Sequence, residues 1–268
     1  MKAAAIQFEI IPGQVAQNQQ KVAELVAKAA DLGAELVVLP ELWPTGYCLE
    51  QLPELAESMR GSSILLLRKL AKEHQICLVG GSIAEKKDNK FYNTSLIVNK
   101  NGDISVKYRK VHLYPHGLLE HLYFSPGESW SVSEYQGWQI GQMICYDLFF
   151  PEFARNLALR GAQILTLPAQ ITNKAYPAFK MLAQARALEN QCYLILANAS
   201  NADSADDDAL AGQSLIISPQ GEILAAADKG KAIIVAELKI ELLQWLKANR
   251  NPLEDRRPFL DEIDDSQI

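Results

Sequence analysis

The chain has 268 residues, 49% of them apolar and 22% charged, with 26 Lys and Arg set against 32 Asp and Glu. A chain of this length buries roughly 70–75% of the surface its unfolded form exposes, so its core needs no disulfide or metal staple. The resulting net charge of −6 runs against the basic excess of a nucleic-acid binder, and no apolar run approaches the roughly 18–20 residues of a membrane span.

The first nine residues carry one lysine and a short apolar stretch, then Glu9 and Pro12. A secretory leader needs a longer apolar region and a small-residue cleavage site, so residues 3–8 read as a first strand. Residues 17–32 place Val22, Leu25, Val26, Ala29 and Ala30 on one helical face, and Gly33 suits the helix end. Residues 35–39 (Glu-Leu-Val-Val-Leu) form a short buried strand halted by Pro40. A second helix spans 63–73 with Leu66, Leu67 and Leu70, and 76–80 is again a buried strand. Residues 92–98 and 104–108 read as strands joined through 99–103, where Asn101-Gly102 is a hairpin signal. A strand at 138–144 ends at Cys145, and a helix at 151–160 has Pro at its first turn. Gly161 and a strand at 163–167 follow, then a helix at 179–189 and a strand at 192–197. Strands at 213–218 and 222–226 flank Pro219-Gln220-Gly221, and a strand at 232–237 and a helix at 240–248 finish the packed part.

This alternation predicts an α/β protein with a mixed sheet or sheets and no linker between domains. Residues 203–208 read as a solvated acidic loop. The tail after Asn249 is charged and contains Pro252 and Pro258. It should not pack alone, and is either disordered or laid over a partner subunit. Residues 33–40 (Gly-Ala-Glu-Leu-Val-Val-Leu-Pro) echo residues 161–168 (Gly-Ala-Gln-Ile-Leu-Thr-Leu-Pro). The echo fits any helix-to-buried-strand connection, and equally two related α/β halves stacked on each other. Either way, Glu41 lies just past a strand end, where α/β sites are built.

The four cysteines, Cys48, Cys77, Cys145 and Cys192, are dispersed without a C-x-x-C pair. They form neither a secreted disulfide framework nor a zinc knuckle, which points to a soluble cytoplasmic protein. Cys77, Cys192 and Cys48 read as small core residues. Cys145 differs, because it sits where a buried strand turns toward a helix, as a nucleophile elbow does. A thiol of ordinary pKa near 8.5 is mostly protonated at neutral pH, so a nucleophilic Cys145 needs a base or cation nearby. His74, His112, His116 and His121 leave a Cys–His pair open, while Pro115 breaks any helix that would align them as metal ligands. Glu41 and Lys110, each at a strand end, offer a carboxylate base and a fixed ammonium instead. Taken singly, each also fits a solvated charge.

In combination, Leu39-Pro40-Glu41, Tyr108-Arg109-Lys110-Val111-His112-Leu113 and Cys145-Tyr146-Asp147 resemble the three motifs of the nitrilase (carbon–nitrogen hydrolase) superfamily. Phe150-Pro151-Glu152, Arg186-Ala187 and Pro219-Gln220-Gly221-Glu222 are similar to further landmarks, so the resemblance covers nearly the whole chain. It implies a four-layer α-β-β-α sandwich over residues 1–249, assembled as a homo-oligomer (dimer or larger), with the 250–268 arm at a subunit interface. It implies Cys145 as nucleophile, Glu41 as general base and Lys110 as the cation facing the tetrahedral intermediate. Glu120 matches a substrate-orienting glutamate, and the Tyr146 backbone N–H joins Lys110 at the oxyanion. No metal or organic cofactor enters this scheme. Cys145-Tyr146-Asp147 resembles the amidase-type branches rather than the Cys-Trp-Glu of nitrile hydrolases, so the implied substrate is a small amide. Leu42-Trp43-Pro44-Thr45-Gly46-Tyr47 and Glu254-Asp255-Arg256-Arg257-Pro258 look like aliphatic amidases and omega-amidases. Against the omega-amidase reading, residues 172–184 lack the tryptophan usual there, and the cation that a substrate carboxylate needs has only Lys174 and Lys180 nearby in sequence. A nitrilase, an N-carbamoyl hydrolase and a catalytically inactive scaffold relative are the remaining alternatives.

Overall fold

The computed structural model describes residues 1–116, 119–201, 204 and 206–257. In chain order the elements are β1 (Lys2–Gln7), α1 (Val15–Asp31), β2 (Leu36–Val38), α2 (Leu52–Leu55), α3 (Ser62–His74), β3 (Cys77–Val79), β4 (Ile83–Lys87), β5 (Lys90–Val98) and β6 (Ile104–Arg109). Then come β7 (Val132–Tyr135), β8 (Trp138–Gln142), α4 (Pro151–Leu159), β9 (Ile164–Ala169), α5 (Tyr176–Asn190), β10 (Tyr193–Asn198), β11 (Leu215–Ile217), β12 (Ile223–Ala226), β13 (Ala232–Glu237) and α6 (Ile240–Asn249). α2, β4 and β7 have no counterpart among the elements expected from the sequence. All three are short, and β4 and β7 are sheet-edge strands whose exposed residues blur the apolar pattern.

Two sheets form. The first runs β13-β1-β2-β3-β5-β4, with β6 paired to β5, and the second runs β12-β11-β10-β9-β8-β7. Each has a parallel centre, β1-β2-β3 in one and β8-β9-β10 in the other. Strand alternation then builds the layers. Ala4, Ile6, Val37 and Leu78 pack against Val22, Val26, Leu67 and Leu70 of α1 and α3. Leu165, Leu194 and Leu196 pack against Leu157, Ala183 and Ala187 of α4 and α5. The opposite faces meet each other, with Ala3, Ala5, Leu36 and Val38 of the first sheet against Ile164, Tyr193 and Ile195 of the second. The result is the expected α-β-β-α sandwich.

The internal echo resolves into two equivalent units. Gly33 and Gly161 both have positive φ, of 81° and 93°, just past the ends of α1 and α4. Each leads into the central strand of its own sheet, β2 or β9. Of the cysteines, Cys77 and Cys192 are buried in the core as expected, whereas Cys48 is half-buried rather than core. Beyond α6, Leu253 packs on the α4–α5 cluster and the Arg250 carbonyl accepts a hydrogen bond from Gln191 Nε2 at 2.6 Å. The start of the tail therefore lies on its own chain, which its charged sequence did not suggest. Residues 258–268 of the arm, and Asp203 of the acidic loop, lie outside the described residues. Asp206, Asp207 and Asp208 are exposed, as expected.

Candidate active site

The ends of four strands converge between the two sheets. Glu41 follows β2, Lys110 follows β6, Cys145 follows β8 and Gln170 follows β9. Such carboxyl-end crevices are where α/β proteins place their sites. Glu41 owes its place to a tight loop. Ser82 N–H donates to the Pro40 carbonyl (3.2 Å), Leu42 N–H to Ser82 Oγ (2.9 Å) and Trp43 Nε1 to the Gly80 carbonyl (2.8 Å). Gly81 has φ +62°, and a Cβ there would lie 2.0 Å from the Pro40 oxygen, so only glycine fits.

Lys110 is fully buried between two carboxylates, with Nζ 2.9 Å from Glu41 Oε1 and 2.8 Å from Glu120 Oε2. Glu41 and Glu120 are themselves inaccessible to solvent, so Glu41 and Lys110 depart from the solvated alternative. Glu120 stands in a single helical turn, Glu120–Leu122. It accepts Tyr114 N–H at 2.9 Å, and its segment is tied down by Gly127 N–H donating to the Lys110 carbonyl (2.8 Å). Burial works against the ammonium, but the charges of Glu41 and Glu120 outweigh it and hold Lys110 well above the ordinary lysine range. Two of its three protons are committed to these carboxylates, which leaves one to give a third acceptor.

Cys145 opens a short helical turn, Cys145–Phe149, at φ +45°. A left-handed conformation at a residue with a Cβ is strained and is typical of functional turns. Asp147 secures it by accepting Ile144 N–H (2.8 Å) and the Tyr108 hydroxyl (2.6 Å) on one oxygen. Its other oxygen meets His112 N–H (3.1 Å) and Nδ1 (2.8 Å). His112 therefore serves Asp147, and its Nδ1 is not the partner of Cys145 that the sequence left open. Burial, then the charge of Glu41, pushes the Cys145 thiol well above its ordinary pKa, against the opposing pull of Lys110 and the Gln170 N–H. Such a thiol needs a base before it can act as a nucleophile. Tyr47 joins the same cluster. Burial, then the carboxylates of Glu120 and Glu41, drives its hydroxyl upward, and it hydrogen-bonds Glu41.

Sequence reasoning missed two further members. Gln170 N–H donates to Glu41 Oε2 (3.1 Å) and its Nε2 to the Glu41 carbonyl (2.8 Å). The echo points only to the neighbourhood, since the position matching Glu41 after the second copy is Ala169 and Gln170 lies one residue beyond it. Asn93 donates from Nδ2 to both Glu41 Oε1 (2.8 Å) and Glu120 Oε1 (3.0 Å). Its signal was an asparagine inside a strand-forming run, where that residue is disfavoured. Lys174 is exposed, paired with Asp208 and within electrostatic reach of Tyr114. Lys180 is exposed on α5.

The carbon-nitrogen hydrolase family profile matches residues 2–248. The chain belongs to the carbon–nitrogen hydrolase family. It is 38% identical over 238 residues to a 2-oxoglutaramate amidase of Bacillus subtilis, covering 89% of this chain and 90% of that one. To an omega-amidase NIT2-B of Xenopus laevis it is 35% identical over 269 residues, covering 98% and 96%. A solved amidase from Nesterenkonia sp. AN1, carrying the Michael adduct of acrylamide at its active-site cysteine, superposes with a TM-score of 0.84. That match has 27% identity and covers 97% of this chain and 98% of the other. This carbon–nitrogen hydrolase thus shares the nitrilase-superfamily fold that its motifs resembled.

Proposed function

We propose that the protein hydrolyses the C–N bond of a small amide to a carboxylic acid and ammonia through a Cys145 thioester. The observation that carries this reading is the buried Glu41–Lys110–Glu120 cluster set against a protonated, strained Cys145. Glu41 takes the thiol proton as sulfur attacks the amide carbonyl. The uncommitted Lys110 proton and the Tyr146 N–H meet the oxyanion. Glu41 then returns its proton to the departing nitrogen, ammonia leaves, and the thioester forms. A water that loses its proton to Glu41 attacks the thioester. Collapse expels the sulfur, which recovers the proton from Glu41, and the acid departs. Glu120 orients the substrate and keeps Lys110 aligned. Each role uses a proton the site already holds, and no cofactor takes part.

The test is ammonia release from short aliphatic amides, glutamine, 2-oxoglutaramate, N-carbamoyl amino acids and simple nitriles, beside Cys145→Ala. Turnover of amides that vanishes in the variant supports the reading. Turnover that survives in the variant, or is confined to nitriles or N-carbamoyl compounds, rejects it. Silence across the panel favours the inactive scaffold.

A second reading, omega-amidase activity on 2-oxo acid amides, is favoured by the activities of the two relatives and by Lys174, which is within electrostatic reach of Tyr114. Asp208 engages that lysine, so a substrate carboxylate must displace it. A kcat/KM for 2-oxoglutaramate well above that for propionamide, lowered by Lys174→Ala, selects this reading.

The assembly belongs to the same proposal. Exposed Met181 and Leu188 on α5 and Trp245 on α6 support a homo-oligomer whose 250–268 arm reaches a second subunit, beyond the 1–249 domain. Truncation after Asn249 that leaves sedimentation unchanged rejects the arm's role. Four free cysteines support a cytoplasmic location, to be checked by fractionation.

A further inference from the structure

Asn93 lies in β5 with its side chain buried at 1% exposure. Three residues of the proposed machinery converge on it. Its amide nitrogen donates to Glu41 Oε1 at 2.8 Å and to Glu120 Oε1 at 3.0 Å, and its carbonyl accepts the Lys110 backbone N–H at 2.8 Å. Together with the two bonds from Lys110 Nζ, these close a ring in which two donors alternate with two carboxylates. The orientation of the amide follows from chemistry, because an ionised carboxylate can only accept. The orientation has a cost: Asn93 Oδ1 is buried with no hydrogen-bond partner among the described residues. Burying an acceptor without a partner is unfavourable, and a side chain selected for packing alone would not keep it.

The two oxygens of Glu41 are unequal. Oε1 is held by both Lys110 and Asn93. Oε2 receives the Gln170 N–H at 3.1 Å, and that same N–H lies close enough to the Cys145 sulfur to favour its thiolate. Oε2 is therefore the oxygen beside the thiol. An ammonium is a compact charge on a flexible stem that holds a carboxylate without fixing its tilt, whereas a planar amide imposes direction. Lys110 also offers its third proton to the oxyanion, so its charge is shared among three acceptors and Oε1 is not its sole task.

We infer that Asn93 is a positioning residue that clamps Oε1 of Glu41, so that Oε2 alone carries the proton between Cys145 and the leaving group while Lys110 serves the oxyanion. This inference rests on the reading of Glu41 as general base. Asn93 acts through Glu41 and Glu120, which its Nδ2 holds, so its removal is expected to fall mainly on the rate of chemistry. Misplacing a reacting group by about 1 Å costs on the order of 100-fold.

The experiment compares Asn93→Ala, Asn93→Ser and Asn93→Asp with the parent and with Glu41→Gln, using the amide with the highest turnover. Each variant is first checked by circular dichroism and thermal melting. Asn93→Ala is expected to lower kcat roughly 10- to 100-fold with KM changed less than threefold. Asn93→Ser, which keeps one donor, should recover part of the loss, and the isosteric Asn93→Asp, which cannot donate when ionised, should recover none. Where one variant fails to fold, the folded ones decide on the same kcat criterion. A kcat within twofold of the parent in a folded Asn93→Ala or Asn93→Asp overturns the inference, as does a raised KM with unchanged kcat. Should Glu41→Gln retain full activity, the reading of Glu41 as base fails first, and that outcome is distinct.

Discussion

The β5–β6 hairpin carries a buried glutamate cluster on each of its faces. On one face, Asn93 and Lys110 meet Glu41 and Glu120, giving two carboxylates for one cation in a closed interior. On the other, the neighbouring residues Thr94 and Arg109, with Lys107, surround Glu85 and give two cations for one carboxylate near the surface. Arg109 is bidentate to Glu85 (2.8 Å each) and lies 3.6 Å over the Tyr92 ring. Burial alone would raise the Glu85 carboxyl, but the bonds from Arg109, Thr94 and Lys107 overcome it and hold it at about 2. In the interior cluster burial prevails at sulfur, and Cys145 remains a thiol. One residue of register thus separates a saturated ion cluster, which adds stability, from an undersupplied one, which holds a proton ready to move.

The sharpest way to break this contrast is on activity. Cys145→Ala should abolish turnover, by roughly 10⁴-fold or more, and Glu41→Gln should lower kcat by about 10²–10⁴-fold. Both should leave the melting temperature within a few degrees of the parent, since neither adds a charge to the interior. Lys110→Met should damage both properties. It removes the oxyanion cation and strands two buried carboxylates, costing on the order of 3–5 kcal/mol in urea unfolding. A stable Lys110→Met protein would show that the interior cluster is less dependent on its cation than the geometry requires.

Glu85→Gln should do the reverse, lowering stability by about 1–3 kcal/mol with kcat within twofold of the parent. The pH dependence gives its sign. A carboxyl held at about 2 instead of its ordinary 4.5 stabilises the fold fully above pH 4.5. That contribution is lost as pH falls toward 2. Urea midpoints from pH 2 to 7 should therefore converge for parent and variant at the acid end and separate above it. The smallest effect concerns the thiol. Iodoacetamide should label Cys145 slowly at pH 7 and faster as pH rises past 9, because its raised pKa keeps the thiolate scarce at neutrality. Fast labelling at pH 7 would mean that the thiolate is already formed.

The layered fold was legible because apolar strand runs and the faces of α1 and α4 are local properties of sequence. Glu41, Lys110, Glu120 and Cys145 were legible through motifs, yet their burial was not. Glu41 alone reads as a loop charge, and only the Lys110 ammonium, 69 positions away, makes its burial tolerable. Asn93 and Gln170 escaped for the same reason, since a hydrogen bond between sequence-distant strands leaves no period to detect. His112 was misleading in the opposite direction. Its proximity to the lysine motif suggested a partner for sulfur, while the fold gave it Asp147, which fixes the turn instead.

The convergence of strand ends from two sheets also dictates when the chain can become reactive. Glu41, Asn93, Lys110 and Glu120 are synthesised first, and Cys145 and Gln170 only later, at the ends of β8 and β9. At roughly 5–20 residues per second, a nascent chain spends seconds with Glu41 and Lys110 made but no Cys145 beside them. Even then β1 gains its outer antiparallel neighbour, β13, only when residues 232–237 emerge. A half-made chain cannot bring the Cys145 thiol beside the Glu41 carboxylate, so the chemistry proposed for the pair has to wait until the two sheets have closed on each other.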